Sequence, residues 1–223
     1  EGYPIYEELL KGYFGNSRFR GRLDGALPRA GELSPDSMAK ALGVSTQETN
    51  SIPDIVANRP PMLCNGCGHR DLYEALNIVL EEYSLKHVFS DIGCYTLGAL
   101  PPFGTISTCV DMGASITMAK GASDAGLHPA IAVIGDSTFT HSGMTGLLDA
   151  VNDEVAITVI ISDNSTTGMT GGQDSSGTGK LFDICKGIGV KEKHIRVIEP
   201  LKKNLEENKA ILKEEFEYKG VSV

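Results

Sequence analysis

Two apolar runs do most to limit what this chain can fold into. One is Ala130-Ile-Ala-Val-Ile134; the other runs from Val155 to Ile161, with Thr158 its only polar residue. Both are bounded by Gly, Asp or Asn rather than by alternating polar residues. That pattern is expected of strands buried on both faces, which occur in parallel sheets covered by helices on either side. Helical spacing fills the intervals. Leu72, Leu76, Val79 and Tyr83 form one stripe, 113–126 is a helix of small residues, 142–151 is helical, and Leu201, Leu205, Leu212 and Phe216 mark a last helix over 201–218. A short strand is expected at 87–91. Strands alternating with helices predict an α/β fold with a doubly wound, mostly parallel sheet and helices on both faces, spanning 59–223.

Residues 1–58 read differently. They are polar, interrupted by Gly and Pro, and short of apolar periodicity, so they are expected to form a connecting arm with a linker over 45–58. One helix stands out there: Ser34 is a suitable N-cap, Pro35 fits the first helical position, Asp36 suits the dipole, and Gly43 stops it after Leu42. At the other end, Val221-Ser-Val223 follows a Gly stop and reads as the opening of a strand, so a piece of a longer polypeptide is expected.

Composition narrows the function classes. With 20 basic against 29 acidic residues the formal charge is −9, which repels phosphate backbones and anionic lipid; neither nucleic acid nor membrane is an expected partner. Hydrophobic residues at 41% suffice for a core, which excludes a wholly disordered chain. Five Cys and no export signal point to a reducing compartment, the cytoplasm.

The chemistry is expected where the apolar runs end, because ligands of open parallel sheets sit beyond the carboxyl ends of the strands. The first run leads into Gly135-Asp136-Ser137 and the second into Asp163-Asn164, with Thr166, Thr167 and Gly168 following. Neighbouring strand ends bring Asp136 and Asn164 together although 28 residues separate them. A carboxylate, an amide oxygen and a peptide carbonyl suit Mg²⁺, which takes its remaining ligands from phosphates and water. Ordinary turn residues capping strands are the alternative for either dipeptide alone. Cys64 and Cys67, with Gly66 between them and His69 just beyond, form a CxxC ahead of a helix. A turn beside a diphosphate and a metal or cluster role both stay open, while the lack of a second CxxC or an HxxxH argues against zinc. His141 sits at a helix start just past the metal motif, either facing substrate as a catalytic group or exposed at the rim. Cys109 and Cys185 are expected to be buried apolar residues. The stretch 177–180 fails as a Walker A loop, since Leu181 stands where Ser or Thr belongs.

Gly135-Asp136-Ser137 followed by Asn164 resembles the GDG-to-N signature of thiamine diphosphate enzymes. CNGCGH (64–69), DIGC (91–94) and TGGQ (170–173) are similar to motifs of the 2-oxoacid:ferredoxin oxidoreductases. LPRAGELSP (27–35), DIGCYTLGALPP (91–102), GDSTFTHSGMTGLLDAV (135–151) and TTGMTGGQD (166–174) resemble the alpha subunits of the indolepyruvate enzymes in that family. The resemblance implies a thiamine diphosphate-binding fold with Asp136, Asn164 and the Thr166 carbonyl on Mg²⁺. It implies that Gly135, Ser137, Thr167 and Gly168 hold the phosphates, with Met169 beside the thiazolium, and that Gly93, Cys94 and His69 belong to the cofactor site. The implied reaction is oxidative decarboxylation of an arylpyruvate, with CoA taking the acyl group and ferredoxin the electrons. A second (beta) subunit and a homodimer contact are implied as partners. A decarboxylase or carboligase without the redox step, and a non-catalytic cofactor-binding module, are the other readings.

The pattern departs from the family in four ways. Ser137 stands where the general signature has Gly. The ferredoxin-like Cys run and the pyrimidine-binding domain with its activating glutamate are absent. Cys64, Cys67 and Cys94 are three of the four Cys by which related enzymes hold a cluster, the fourth being expected near Leu201. The 4Fe-4S clusters are therefore expected in the complete enzyme rather than here, and the isolated chain is expected to bind cofactor weakly and turn over nothing.

Overall fold

In the computed structural model, which describes residues 4–15, 19–46, 53, 55–57, 60–84 and 86–223, the two apolar runs are adjacent strands. Strand β3 (Ala130–Gly135) is buried at every position and pairs in parallel with β4 (Ile157–Ser162) along its length, from Ala130↔Ile157 to Gly135↔Ser162. On its other side β3 pairs with β1 (Val88–Ser90), which pairs with β2 (Thr108–Cys109). Strand β7 (Val221–Ser222) adds to β4, giving an all-parallel sheet in the order β2-β1-β3-β4-β7. The Val-Ser opening is thus a strand, as its position after a Gly stop predicts.

Alternation along β3 explains its uniform apolarity. Ala130, Ala132 and Ile134 point into one core with α4 (Ala114–Asp124), α6 (Met144–Asn152) and α7 (Leu181–Ile188). Ile131 and Val133 point into the other, with α3 (Gly68–Leu80) and α8 (Leu205–Glu217). A strand with helices on both faces has no polar face to show. Between β3 and α6 the chain makes a helical turn, α5 (Asp136–Thr138), and a π-helical turn, Phe139–Gly143. A two-stranded antiparallel ribbon, β5 (Thr166–Thr167) with β6 (Gln173–Asp174), follows β4.

The chain divides into two units, Glu1–Arg59 and Pro60–Val223. The first holds α1 (Ile5–Phe14) and α2 (Pro35–Ala41). Helix α2 starts as expected: Ser34 Oγ accepts the Ser37 amide at 3.2 Å with Pro35 in the first turn. Helix α1 is an addition to the sequence reading. No side chain caps it after Pro4, so it lacks a start signal, and Ile5, Leu9, Leu10 and Phe14 remain exposed. Glu7 ties the unit together, accepting from the Arg22 amide at 2.8 Å and pairing with Lys11 at 2.6 Å. The linker expected over 45–58 falls largely outside the described residues.

Candidate cofactor and metal site

Because Gly135 and Ser162 are register partners, the residues that follow them leave the sheet side by side. They meet in a small cleft at the carboxyl edge of the sheet, near where strand order reverses between β1 and β3. Asp136, Asn164 and Thr166 all line it, as do Gly135, Ser137, Thr167, Gly168 and Met169. Gly93 and Cys94 enter from the turn after β1, and His69 from the first turn of α3. Three loops and one helix start, distant in sequence, converge on this cleft.

Asp136 is its most telling residue. It is 2% exposed, and its Oδ2 is buried with no hydrogen-bond partner. Burial pushes its carboxyl above the usual range, and the Asp163 charge adds to this, against the Ser137 amide and the Ser175 hydroxyl. A bare buried carboxylate oxygen is costly unless a cation or a donor reaches it. Asn164 Oδ1 accepts the Thr166 amide at 3.1 Å, which fixes the side chain and leaves one lone pair. Asp163 Oδ1 takes the Ser165 amide at 2.9 Å, in a turn where Ser165 has φ +57°. Carboxylate, amide and peptide carbonyl together are the hard oxygen set that Mg²⁺ takes.

Neighbouring groups hold the walls. The Ser137 and Thr167 hydroxyls contact each other, joining the loops after β3 and β4. Burial pushes the His69 imidazole down, favouring its neutral form, and its Nδ1 lies 3.0 Å from Cys67 Sγ. A side chain at Gly168 would put its Cβ 3.0 Å from Cys94 Sγ.

The sequence reading missed Tyr95 and Asp91 as organising residues. Tyr95, 3% exposed, lies against Gly93 and Gly135, both in extended backbone rather than the left-handed region; each leaves room for the phenol ring. Its hydroxyl donates to Asp91, whose other oxygen accepts from Ser115 Oγ at 2.6 Å and the Gly113 amide at 3.1 Å. The sequence signal was the DIGCYTLGALPP motif (91–102), which contains both residues. Gly135→Ala would place Cβ 2.6 Å from Tyr95 Cε1. That overpacking is expected to cost about 1–3 kcal/mol and lower the urea midpoint, a measurement that an accommodating ring would leave unmoved.

Several expected site residues lie elsewhere. His141 does not line the cleft; Phe139 and Gly143 take the inner side of the π-helical turn, so the imidazole is exposed, with Nδ1 3.1 Å from Ser142 Oγ. Cys64 and Gly66 also stay outside it, on an exposed turn closed by the Cys67 amide on the Cys64 carbonyl at 3.2 Å. Cys67 lines the groove next door. Cys185 is buried as expected, but Cys109 is exposed, because β2 is an edge strand. Among the described residues no three His, Cys, Asp or Glu side chains gather as a metal site. No helix among them is long and apolar enough to cross a membrane.

Residues 91–223 match the family model for the thiamine pyrophosphate enzyme, C-terminal TPP binding domain. This chain belongs to that family. The matched region contains every cleft residue except His69. Among curated proteins, the indolepyruvate oxidoreductase subunits IorA of Methanothermobacter thermautotrophicus and Archaeoglobus fulgidus are 33% and 32% identical to it, over 99% and 98% of the chain. The chain spans 39% and 38% of those relatives' lengths. Among solved structures, a 2-oxoglutarate:ferredoxin oxidoreductase from Magnetococcus marinus has a TM-score of 0.59 at 19% identity, over 74% of this chain and 63% of that one. Benzoylformate decarboxylase from Polynucleobacter necessarius has a TM-score of 0.51 at 18% identity, over 84% and 38%. These likenesses carry the fold.

Proposed function

We propose that the chain is the thiamine diphosphate- and Mg²⁺-binding part of an oxidoreductase that decarboxylates arylpyruvates, indolepyruvate first, to acyl-CoA with ferredoxin as electron acceptor. The observation that carries the cofactor assignment is the bare Oδ2 of buried Asp136 beside Asn164 and Thr166 in a cleft of a thiamine pyrophosphate-family domain. Likeness to the indolepyruvate oxidoreductase subunits supports the substrate class.

In this reading Asp136, the free lone pair of Asn164 and the Thr166 carbonyl would hold Mg²⁺, whose charge would offset the buried carboxylate. The Ser137 and Thr167 hydroxyls and the Gly168 backbone contact the phosphates. Met169, 48% exposed at the cleft, would offer the cofactor's rings a flexible apolar surface. His69 lines the cleft, and burial favours its neutral form, so it adds no charge there. Thiamine diphosphate, when bound, supplies the nucleophilic carbon and electron sink for decarboxylating a 2-oxoacid. The residues of this chain place and charge-balance it. The further partners are a beta subunit, a second copy of the parent subunit, and iron–sulfur clusters elsewhere in the complete enzyme, which acts in the cytoplasm.

The complete two-subunit enzyme, given indolepyruvate, CoA, thiamine diphosphate and Mg²⁺, is expected to reduce ferredoxin in step with CO₂ release. CO₂ release with an aldehyde product and no ferredoxin reduction would favour a non-redox decarboxylase. Cofactor binding with no turnover of any 2-oxoacid would leave a non-catalytic module.

A further inference from the structure

From Asp163 to Lys180 only two residues are buried, Ser175 and Gly177. Ser175 is 5% exposed, and a hydroxyl hidden in an otherwise solvated loop costs free energy unless its hydrogen bonds are met. The β5–β6 ribbon carries it inward. Thr166 pairs with Asp174, and the Ser175 amide then donates to the Ser165 carbonyl at 3.2 Å, beside the residues that follow β4. Gly177 presses the same stretch onto the turn after β3, where a Cβ would lie 2.8 Å from Thr140 Cγ2. Thr140 Oγ1 in turn donates to the Asp136 carbonyl at 3.3 Å. Ser175 thus stands between the two strand ends, and its hydroxyl meets the Asp136 carboxyl. Its Oγ accepts the Gly177 amide at 3.4 Å, which uses a lone pair and leaves its one proton for Asp136. The Ser175 carbonyl, accepting the Thr178 amide at 3.1 Å and hydroxyl at 2.9 Å, fixes the backbone from which that proton is offered.

We propose that Ser175 is a positioning residue of the candidate metal site: its hydroxyl holds the Asp136 carboxylate in the orientation that leaves Oδ2 for the cation. The inference rests on the reading of Asp136 as a Mg²⁺ ligand. Ser175 does not line the cleft and acts through Asp136, whose Oδ2 is the oxygen without a donor. Without it, the Ser137 amide is the donor that remains to this carboxyl, while the Asp163 charge still opposes it. Groups that orient a ligating carboxylate typically carry about 10–100-fold in metal affinity.

Thiamine diphosphate titrated calorimetrically into the complete subunit at fixed Mg²⁺ tests this, in wild type, Ser175→Ala, Asp136→Ala and the double variant. Ser175→Ala is expected to raise Kd by about 10–100-fold on its own. In the Asp136→Ala background the same change is expected to alter Kd by less than about two-fold, because the group it acts through is gone. Should Ser175→Ala not fold, Ser175→Cys, a side chain of similar shape with a weaker donor, reads the same cycle. If Asp136→Ala weakens binding and the Ser175 variant does not, the positioning role falls while the metal reading stands. If the Ser175 variant weakens binding equally in both backgrounds, Ser175 serves only the loop, and the proposal falls as well. Normal binding by Asp136→Ala removes the metal reading and this one with it.

Discussion

Asp136→Ala is expected to raise the Kd of the complete subunit for thiamine diphosphate in the presence of Mg²⁺ by about 100-fold or more, without destabilising the cofactor-free protein. The two halves of this expectation share one cause. Asp136 is 2% exposed, its Oδ2 meets no donor, and burial with the nearby Asp163 charge pushes its carboxyl up. Such a carboxylate costs the folded state free energy until a cation arrives, so its removal relieves the free protein and cripples the complex. A 100-fold change corresponds to about 2.7 kcal/mol, a modest share of what a divalent ion gains from a buried carboxylate. Titration calorimetry with and without EDTA reads the first half, and thermal unfolding of the free protein reads the second. In wild type, EDTA is expected to reproduce the variant's weak binding. If Asp136 were only a turn residue, the variant would keep its affinity and lose thermal stability, and the metal assignment would fall.

How much of this could be read from the residues alone depended on the range of the interaction. Strands β3 and β4 were readable because burial on both faces writes itself locally, as unbroken apolar runs. Helix α2 carried its own cap. Asp136 and Asn164 were readable as a pair because they follow consecutive buried strands whose ends must be neighbours. Strand β2, two residues long, was too short to show a period, and α7 opens after Lys180 with no side-chain cap. Of the two positions open to His141, facing substrate or exposed at the rim, the exposed one is found, on a π-helical turn that nothing in Phe139–Gly143 announces. Cys109 looked like a core residue, but only sheet order shows that its strand lies at an edge. Asp91 was hardest to interpret, since its amide and hydroxyl partners on Gly113 and Ser115 lie 22 and 24 residues away.

That long-range carboxylate carries the other large effect. Asp91 is fully buried at the end of β1, with Tyr95 and Ser115 hydroxyls and the Gly113 and Ser115 amides donating to it. It fixes the start of α4, where negative charge is favoured, and holds the Tyr95 ring over Gly93 and Gly135. Asp91→Ala leaves two buried amides without their acceptor, and at about 1–3 kcal/mol for each unsatisfied group the expected loss is about 2–6 kcal/mol in urea unfolding. Asp91→Asn is expected to recover much of that loss, because its Oδ1 can accept from Gly113 and Ser115 while its NH₂ donates to the Tyr95 hydroxyl, whose proton turns to the Ile92 carbonyl at 3.1 Å. Burial outweighs these four donors and pushes the Asp91 carboxyl up. A folded pKa above the unfolded value near ~4 means the native state holds the proton more tightly, so wild-type stability falls as pH rises from there through the folded pKa. Replacement by Ala removes that slope, and the gap between variant and wild type narrows with rising pH. With Tyr95 released, cofactor affinity is expected to weaken as well, although Asp91 touches no group of the cleft except through that ring. A loss below about 1 kcal/mol, the low end of the cost of one unsatisfied group, with a normal Kd would show that Tyr95 is held by its packing alone.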